Sequence, residues 1–206
     1  MSVATVQPEP VDLIGRPPPS AFKRKWTYTQ ACAELPETLL PIEIWDGTLV
    51  IARTPFFKHQ DIVFRMAATL DRWVRPRRLG KVIISPMDVV FEENLVLQPD
   101  VLFIARERMK IIQRHVMGAP DLAVEVVSGG RRKRDCKDKR DRYEQHGVKE
   151  YWILDPDQQQ IEVWVRNEDD YFELQGCCAG RQFAQSALLP GFKVRVDLML
   201  ANSPED

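Results

Sequence analysis

Along the chain, apolar residues fall into short runs separated by turn-forming residues, with two stretches of helical periodicity set between them. Ile42-Glu43-Ile44-Trp45 and Thr48-Leu49-Val50-Ile51 flank Asp46-Gly47. That dipeptide supplies positive φ at both central positions of a type I′ turn, which predicts a hairpin. From His59 onward, Ile62, Met66, Leu70 and Trp73 recur at helical spacing, and the helix should stop before Pro76. Thr29 to Leu35 has weaker helical character and is ended by Pro36. The runs beginning at Val82, Val89, Leu95 and Val101 read as a meander of adjacent strands. Leu122 to Val127 adds a strand, Arg131 to His146 a helix closed by Gly147, and Glu150 to Leu154 another strand. Beyond Asp155-Pro156-Asp157, Ile161, Val163 and Val165 alternate with polar or amphipathic residues, and Tyr171 to Leu174 follows, a hairpin that extends the sheet.

This order predicts an α/β or α+β layer in which helices flank a mixed sheet. A chain of 206 residues buries one substantial core. Residues 1–25, with Pro8, Pro10, Pro17, Pro18 and Pro19, read as an extended arm, and 26–200 as a single domain. Hydrophobic content of 44% and charged content of 29% are ordinary for a soluble globular protein and point to neither disorder nor membrane. No leader-like or bilayer-length apolar segment is visible, so no membrane association and a cytoplasmic location are expected. The net charge of −1 excludes a globally basic nucleic-acid binder, so a polyanion would have to meet a local patch. Cys32, Cys136, Cys177 and Cys178 form no CxxC pair, which supports neither a zinc site nor a disulfide framework.

The candidate chemistry lies where the apolar pattern is broken. Glu125 sits inside Leu122-Ala123-Val124-Glu125-Val126-Val127, a run suited to a strand buried on both faces, where a carboxylate demands a compensating cation or partner. Asp100, after Pro99, heads the strand that begins at Val101. Two inward acids on neighbouring strands repel unless one is protonated or a divalent ion bridges them, which is how an oxygen-ligand Mg²⁺ site is assembled. Cys136, Lys139 and Tyr143 share one helical face, which turns Lys139 toward the sheet, whereas Lys137, about 200° away, is solvated. Asp100, Glu125 and Lys139 supply the minimum for phosphodiester hydrolysis: acids for a divalent ion and a cation for the developing phosphorane.

Taken in order, Glu43 to Gly47, His59-Gln60, Pro99-Asp100-Val101, Pro120 to Ser128, Asp135 with Lys139 and Tyr143, and Gly147 to Trp152 resemble the Uma-type restriction-endonuclease branch of the PD-(D/E)XK nuclease superfamily. The resemblance runs from about Ile42 to Pro156. It implies a restriction-endonuclease-like core over 42–156 in αβββαβ order, with 157–200 as added hairpins. It further implies Mg²⁺, with Mn²⁺ as a substitute, held by Asp100, Glu125 and the carbonyl of Val126, and hydrolysis of DNA. The superfamily lysine usually stands two residues after the second acid, where this chain has Val127. In the Uma-type branch that lysine comes from the following helix, which makes Lys139 the substitute and Glu43 an additional acid. A homodimer is expected by analogy with nucleases that cut two strands.

Each residue also has an ordinary reading. Asp100 could cap a turn, Glu125 could pair with an arginine, and Lys139 with Asp135 or Asp141. His59 could start its helix, Asp121 fix a strand entry, and Tyr143 fill the core. Charge runs are commonly solvated faces. Arg131, Arg132, Lys133 and Arg134 nevertheless adjoin the candidate site in sequence, which makes them the expected DNA-phosphate contacts, ahead of Arg72, Arg75, Arg77, Arg78 and Lys81. A non-cleaving nucleic-acid-binding module on the same fold is the alternative function.

Overall fold

A computed structural model describes residues 17, 19–35, 40–51, 55–127 and 134–201, the side chains of 134–136 excepted. A 3₁₀ turn, Pro19–Lys23, precedes α1 (Tyr28–Glu34), whose start is fixed by a capping box between Thr27 and Gln30. Ala21 is buried with Trp26, whose indole N–H donates to the Ala21 carbonyl at 2.7 Å. The last part of the stretch expected as an arm is therefore packed on the domain, because Ala21 and Trp26 supply apolar surface that a proline count overlooks. Residues 1–16 lie outside the described residues.

β1 (Ile42–Trp45) and β2 (Thr48–Ile51) form the predicted hairpin, with Asp46 at φ 47° and Gly47 at φ 80°. α2 (Phe57–Arg77) buries Ile62, Val63, Met66, Leu70 and Val74 on one face. It does not stop before Pro76 but runs one residue past it. Arg78, at φ 54°, closes it: the Leu79 N–H donates to the Val74 carbonyl and the Arg78 N–H to the Arg75 carbonyl, a Schellman pattern. The last turn holds because Leu70 and Val74 anchor it in the core, which offsets the bond that proline cannot make.

The following strands are β3 (Gly80–Ile84), β4 (Val89–Glu92), β5 (Leu95–Leu97), β6 (Val101–Ala105), β7 (Val116–Met117) and β8 (Leu122–Val126). A π-helical segment, Arg134–Lys139, leads into α3 (Arg140–Gln145), followed by β9 (Glu150–Asp155), β10 (Gln160–Arg166) and β11 (Phe172–Ala179). A small hairpin, β12 (Phe183–Gln185) and β13 (Lys193–Arg195), and α4 (Val196–Met199) end the chain. The six-stranded sheet runs β11-β10-β9-β8-β6-β3, with β8 and β9 parallel and the other neighbours antiparallel. Within it α2-β3-β6-β8-α3-β9 is the αβββαβ order.

The expected meander is not what forms. β3 pairs directly with β6, and the β4–β5 hairpin leaves for a second sheet, ordered β2-β1-β5-β4-β7. Its apolar residues are buried on both faces, Val90 and Val96 against Ile44, and Leu95 and Leu97 against Tyr143 and Tyr151. A strand apolar on both sides can join either sheet, so adjacency in sequence does not decide its partner.

One face of the large sheet, with Val101, Phe103, Leu122, Val124, Trp152 and Leu154, packs on α2 and the C-terminal elements. The other, with Ala123, Val127, Tyr151 and Ile153, is covered by Tyr143 of α3 and by β5. Alternation puts Glu125 on this second face, between the two sheets. Gly147, at φ 87°, ends α3 as predicted, with the Val148 N–H donating to the Tyr143 carbonyl. Among the described residues no helix is long and apolar enough to cross a membrane.

Candidate active site

Glu125 meets its counter-charge from the following helix. The Lys139 ammonium lies 2.8 Å from Glu125 Oε1 and 3.0 Å from Glu43 Oε1. The Tyr143 hydroxyl donates to the same Glu125 oxygen at 2.6 Å. All four side chains are buried, Lys139 with only 4% of its surface exposed. Lys139 closes the π segment and Tyr143 stands one turn on, so both face the sheet while Lys137 and Asp138 face solvent. Burial drives the Tyr143 hydroxyl well above its ordinary pKa and the Glu125 charge adds to this, which keeps the phenol a neutral donor.

Glu43 arrives from β1 in the other sheet. Its carboxylate also accepts the Gln98 backbone N–H at 3.0 Å and the Trp45 indole N–H at 2.9 Å. Burial alone would raise its pKa, but the Lys139 charge and these donors outweigh that and hold it below the ordinary carboxylate value. Glu43 is thus ionised inside the protein.

Asp100 stands immediately before β6. Carrying the β6–β8 register one step beyond the Val101–Val124 pair sets it opposite Glu125 on the same face. Its Oδ2 accepts the Val126 N–H at 2.8 Å and lies 3.2 Å from His59 Nε2 on the first turn of α2. Side-chain exposures of 14% for Asp100 and 12% for His59 make this the corner where the cluster opens toward solvent. Gln98 ties the assembly together: its side-chain amide donates to Asp88 Oδ1 at 2.7 Å while its backbone N–H holds Glu43, two residues before Asp100.

Asp100, Glu125, Lys139 and Glu43, separated by as many as 96 positions in sequence, are therefore brought together, with Val126 joined through its N–H. Lys139 pairs with glutamates from both sheets, and the pairing with Asp135 rests on a side chain outside the described residues, as do the contacts expected of Arg131, Arg132, Lys133 and the Arg134 side chain. Asp121 is a strand-entry anchor as expected, fully buried against Arg108 at 3.0 Å and Lys149 at 2.8 Å. Sequence reasoning missed two contacts. Tyr143 is a hydrogen-bond donor as well as core, a role signalled by a phenol one turn from a buried lysine. His59 touches Asp100, which only the packing of α2 could reveal. Among the described residues no three His, Cys, Asp or Glu side chains form a closed metal cage.

The two sheets and the flanking helices make an α+β protein with a buried carboxylate–lysine cluster between the sheets. The crystal structure of "a putative nuclease belonging to DUF820" from Anabaena variabilis has the same fold, with a TM-score of 0.71 at 18% identity over 85% of this chain and 97% of that one. No curated protein matches the chain. The profile of the Uma2 family, described as "Putative restriction endonuclease", matches residues 28–198, and the chain belongs to that family.

Proposed function

We propose that the protein is a Mg²⁺-dependent endonuclease that hydrolyses DNA phosphodiester bonds through Asp100, Glu125, Lys139 and Glu43. The observation that carries this reading is the buried Lys139 ammonium shared by Glu125 and Glu43 beside Asp100. The family description and that of the structural neighbour, both naming nucleases, support it.

The donor set fits a hard divalent cation. Asp100, Glu125 and the Val126 carbonyl offer oxygen only, and three carboxylates face one ammonium, leaving negative charge for a cation to neutralise. Mg²⁺ keeps several waters and needs only one or two carboxylates, so the lack of a closed cage suits it, with Mn²⁺ as a substitute. Bound there, the ion would supply Lewis-acid stabilisation of a phosphoryl oxygen and acidify a water.

The chain's own residues supply the rest. Lys139, held between two carboxylates, offers positive charge to a developing phosphorane oxygen and orients the attacking water. Tyr143 holds one oxygen of Glu125, and the Val126 N–H and His59 hold one oxygen of Asp100, so neither acid reorganises as charge develops. The run Arg131, Arg132, Lys133 and Arg134 would meet DNA phosphates. A homodimer would offer one such centre per strand, and we assign the protein to the cytoplasm.

Supercoiled plasmid incubated with Mg²⁺, Mn²⁺ or EDTA tests the reading. Wild type should nick it with either metal and not in EDTA, and Glu125→Gln and Lys139→Ala should not nick it. Equal nicking by all three proteins would refute the assignment, and retarded but uncut DNA would favour a non-cleaving binding module.

A further inference from the structure

At the end of α2 remote from Asp100, a cavity of about 340 Å³ is lined by Arg75, Arg78, Lys81 and Arg106 together with Asp71 and Met109. The four cations come from three elements: the helix end, the edge strand β3, and the 3₁₀ turn that follows β6. Asp71 pairs with Arg75 at 2.9 Å, and among the described residues the other three have no carboxylate partner.

A structural reason accounts for only part of this. Arginines in a last helical turn interact favourably with the helix dipole, which covers Arg75, and Arg77 is stacked on Trp73 at 3.6 Å. Arg78 lies outside the helix, and Lys81 and Arg106 belong to other elements. Arg78 also occupies a left-handed position, φ 54°, that favours glycine, so the arginine stands there at a cost in local strain. Gly80 allows the convergence. A Cβ at that position would lie 2.0 Å from the Ile104 carbonyl, and the close approach lets the Arg106 N–H reach the Leu79 carbonyl at 2.8 Å.

We propose that this cavity is a second nucleic-acid contact, gripping the sugar–phosphate backbone of a duplex whose scissile bond lies at the Asp100 end of α2. The inference deepens the nuclease reading and rests on it for the identity of the polyanion. Three of the four cations are arginines, whose forked donors match phosphate oxygens. An anionic membrane fits less well, since Met109, 37% exposed, is the large apolar side chain beside them. From His59 to Arg75 the helix spans about 24 Å at ~1.5 Å per residue. That is roughly seven base pairs at ~3.4 Å each, so one duplex can touch both ends.

The test is fluorescence anisotropy of the full chain with a 30-base-pair duplex in EDTA, at several salt concentrations. Wild type is compared with an Arg78→Gly, Lys81→Ala, Arg106→Ala triple variant. Glycine suits the left-handed position, so the fold should survive; should the triple variant fail to fold, Arg78→Gly with Lys81→Ala replaces it. The expected result is an affinity at least about tenfold lower and a log–log salt slope shallower by about 2–3, at ~0.9 for each phosphate no longer neutralised. Unchanged affinity and slope would overturn the proposal, and so would loss of binding to phosphatidylserine vesicles with duplex binding intact. Weakened duplex binding by the triple variant, with a wild type that never cuts, would leave this second grip standing and remove the nuclease reading. A wild type that cuts, with a variant that binds like it, would do the reverse.

Discussion

The two ends of α2 handle like charges in opposite ways. At its first turn His59 meets Asp100, beside a buried set in which Glu43 and Glu125 share Lys139 and every charge has a fixed partner within 3.2 Å. Beside its other end Arg78, Lys81 and Arg106 gather at the surface, where the one carboxylate lining the cavity, Asp71, is paired with Arg75 and, among the described residues, none is paired with these three. Burial explains the difference. A charge removed from water must be matched inside the protein, whereas an exposed one is hydrated and can await a mobile counter-charge. The first end is held together by its internal partners, whereas the second, on the proposal above, would gain affinity from an approaching polyanion.

Removing one member of the buried set should therefore have the largest effect. Lys139→Ala leaves two carboxylates facing each other inside the protein and should cost about 3–5 kcal/mol in urea unfolding. A loss below about 1 kcal/mol would break the contrast between the ends. Next comes Asp121, which lies at the far end yet is matched by Arg108 and Lys149. Burial opposes its ionisation, but the lysine, the Ala105 N–H and the arginine together hold its carboxyl below the ordinary 3.8. A depressed acid stabilises the fold above its unfolded pKa and loses that contribution as pH falls through the folded one. Asp121→Asn should therefore cost about 2 kcal/mol at pH 6, and the gap from wild type should close below pH 3.8. A gap independent of pH would show that the charge is irrelevant.

The exposed end should respond weakly, and in one case favourably. Arg78→Gly should raise stability by about 1 kcal/mol through relief of left-handed strain. Lys81→Ala and Arg106→Ala should stay within about 0.5 kcal/mol of wild type in thermal melts. A larger loss at either would mean that those cations support the fold.

The sequence made the long helix α2 and the β1–β2 hairpin legible because each depends on local periodicity or on a dipeptide such as Asp46-Gly47, whereas the αβββαβ order came from the family resemblance and the expected Arg131–His146 helix is, in its described part, a π segment followed by the shorter α3. It could not tell which sheet β4 and β5 would join, since residues apolar on both faces carry no direction. Pro76 misled because its local rule yields to the packing of Leu70 and Val74. In the site, Glu125 and Lys139 stood out as charges in apolar settings, a signal readable without coordinates. The contacts of Tyr143 with Glu125, His59 with Asp100 and Gln98 with Glu43 depend on packing between elements far apart in the chain, which no local pattern encodes.

The most direct test of the acid–lysine centre is single-turnover cleavage of an end-labelled duplex by wild type and Asp100→Asn. The amide oxygen of asparagine can still accept the Val126 N–H, so the substitution removes charge with little change in shape. Wild type should cut in Mg²⁺ and not in EDTA, and Asp100→Asn should be slower by roughly 100-fold or more at an unchanged melting temperature. Cleavage by Asp100→Asn at the wild-type rate, or cleavage that persists in EDTA, would contradict the account.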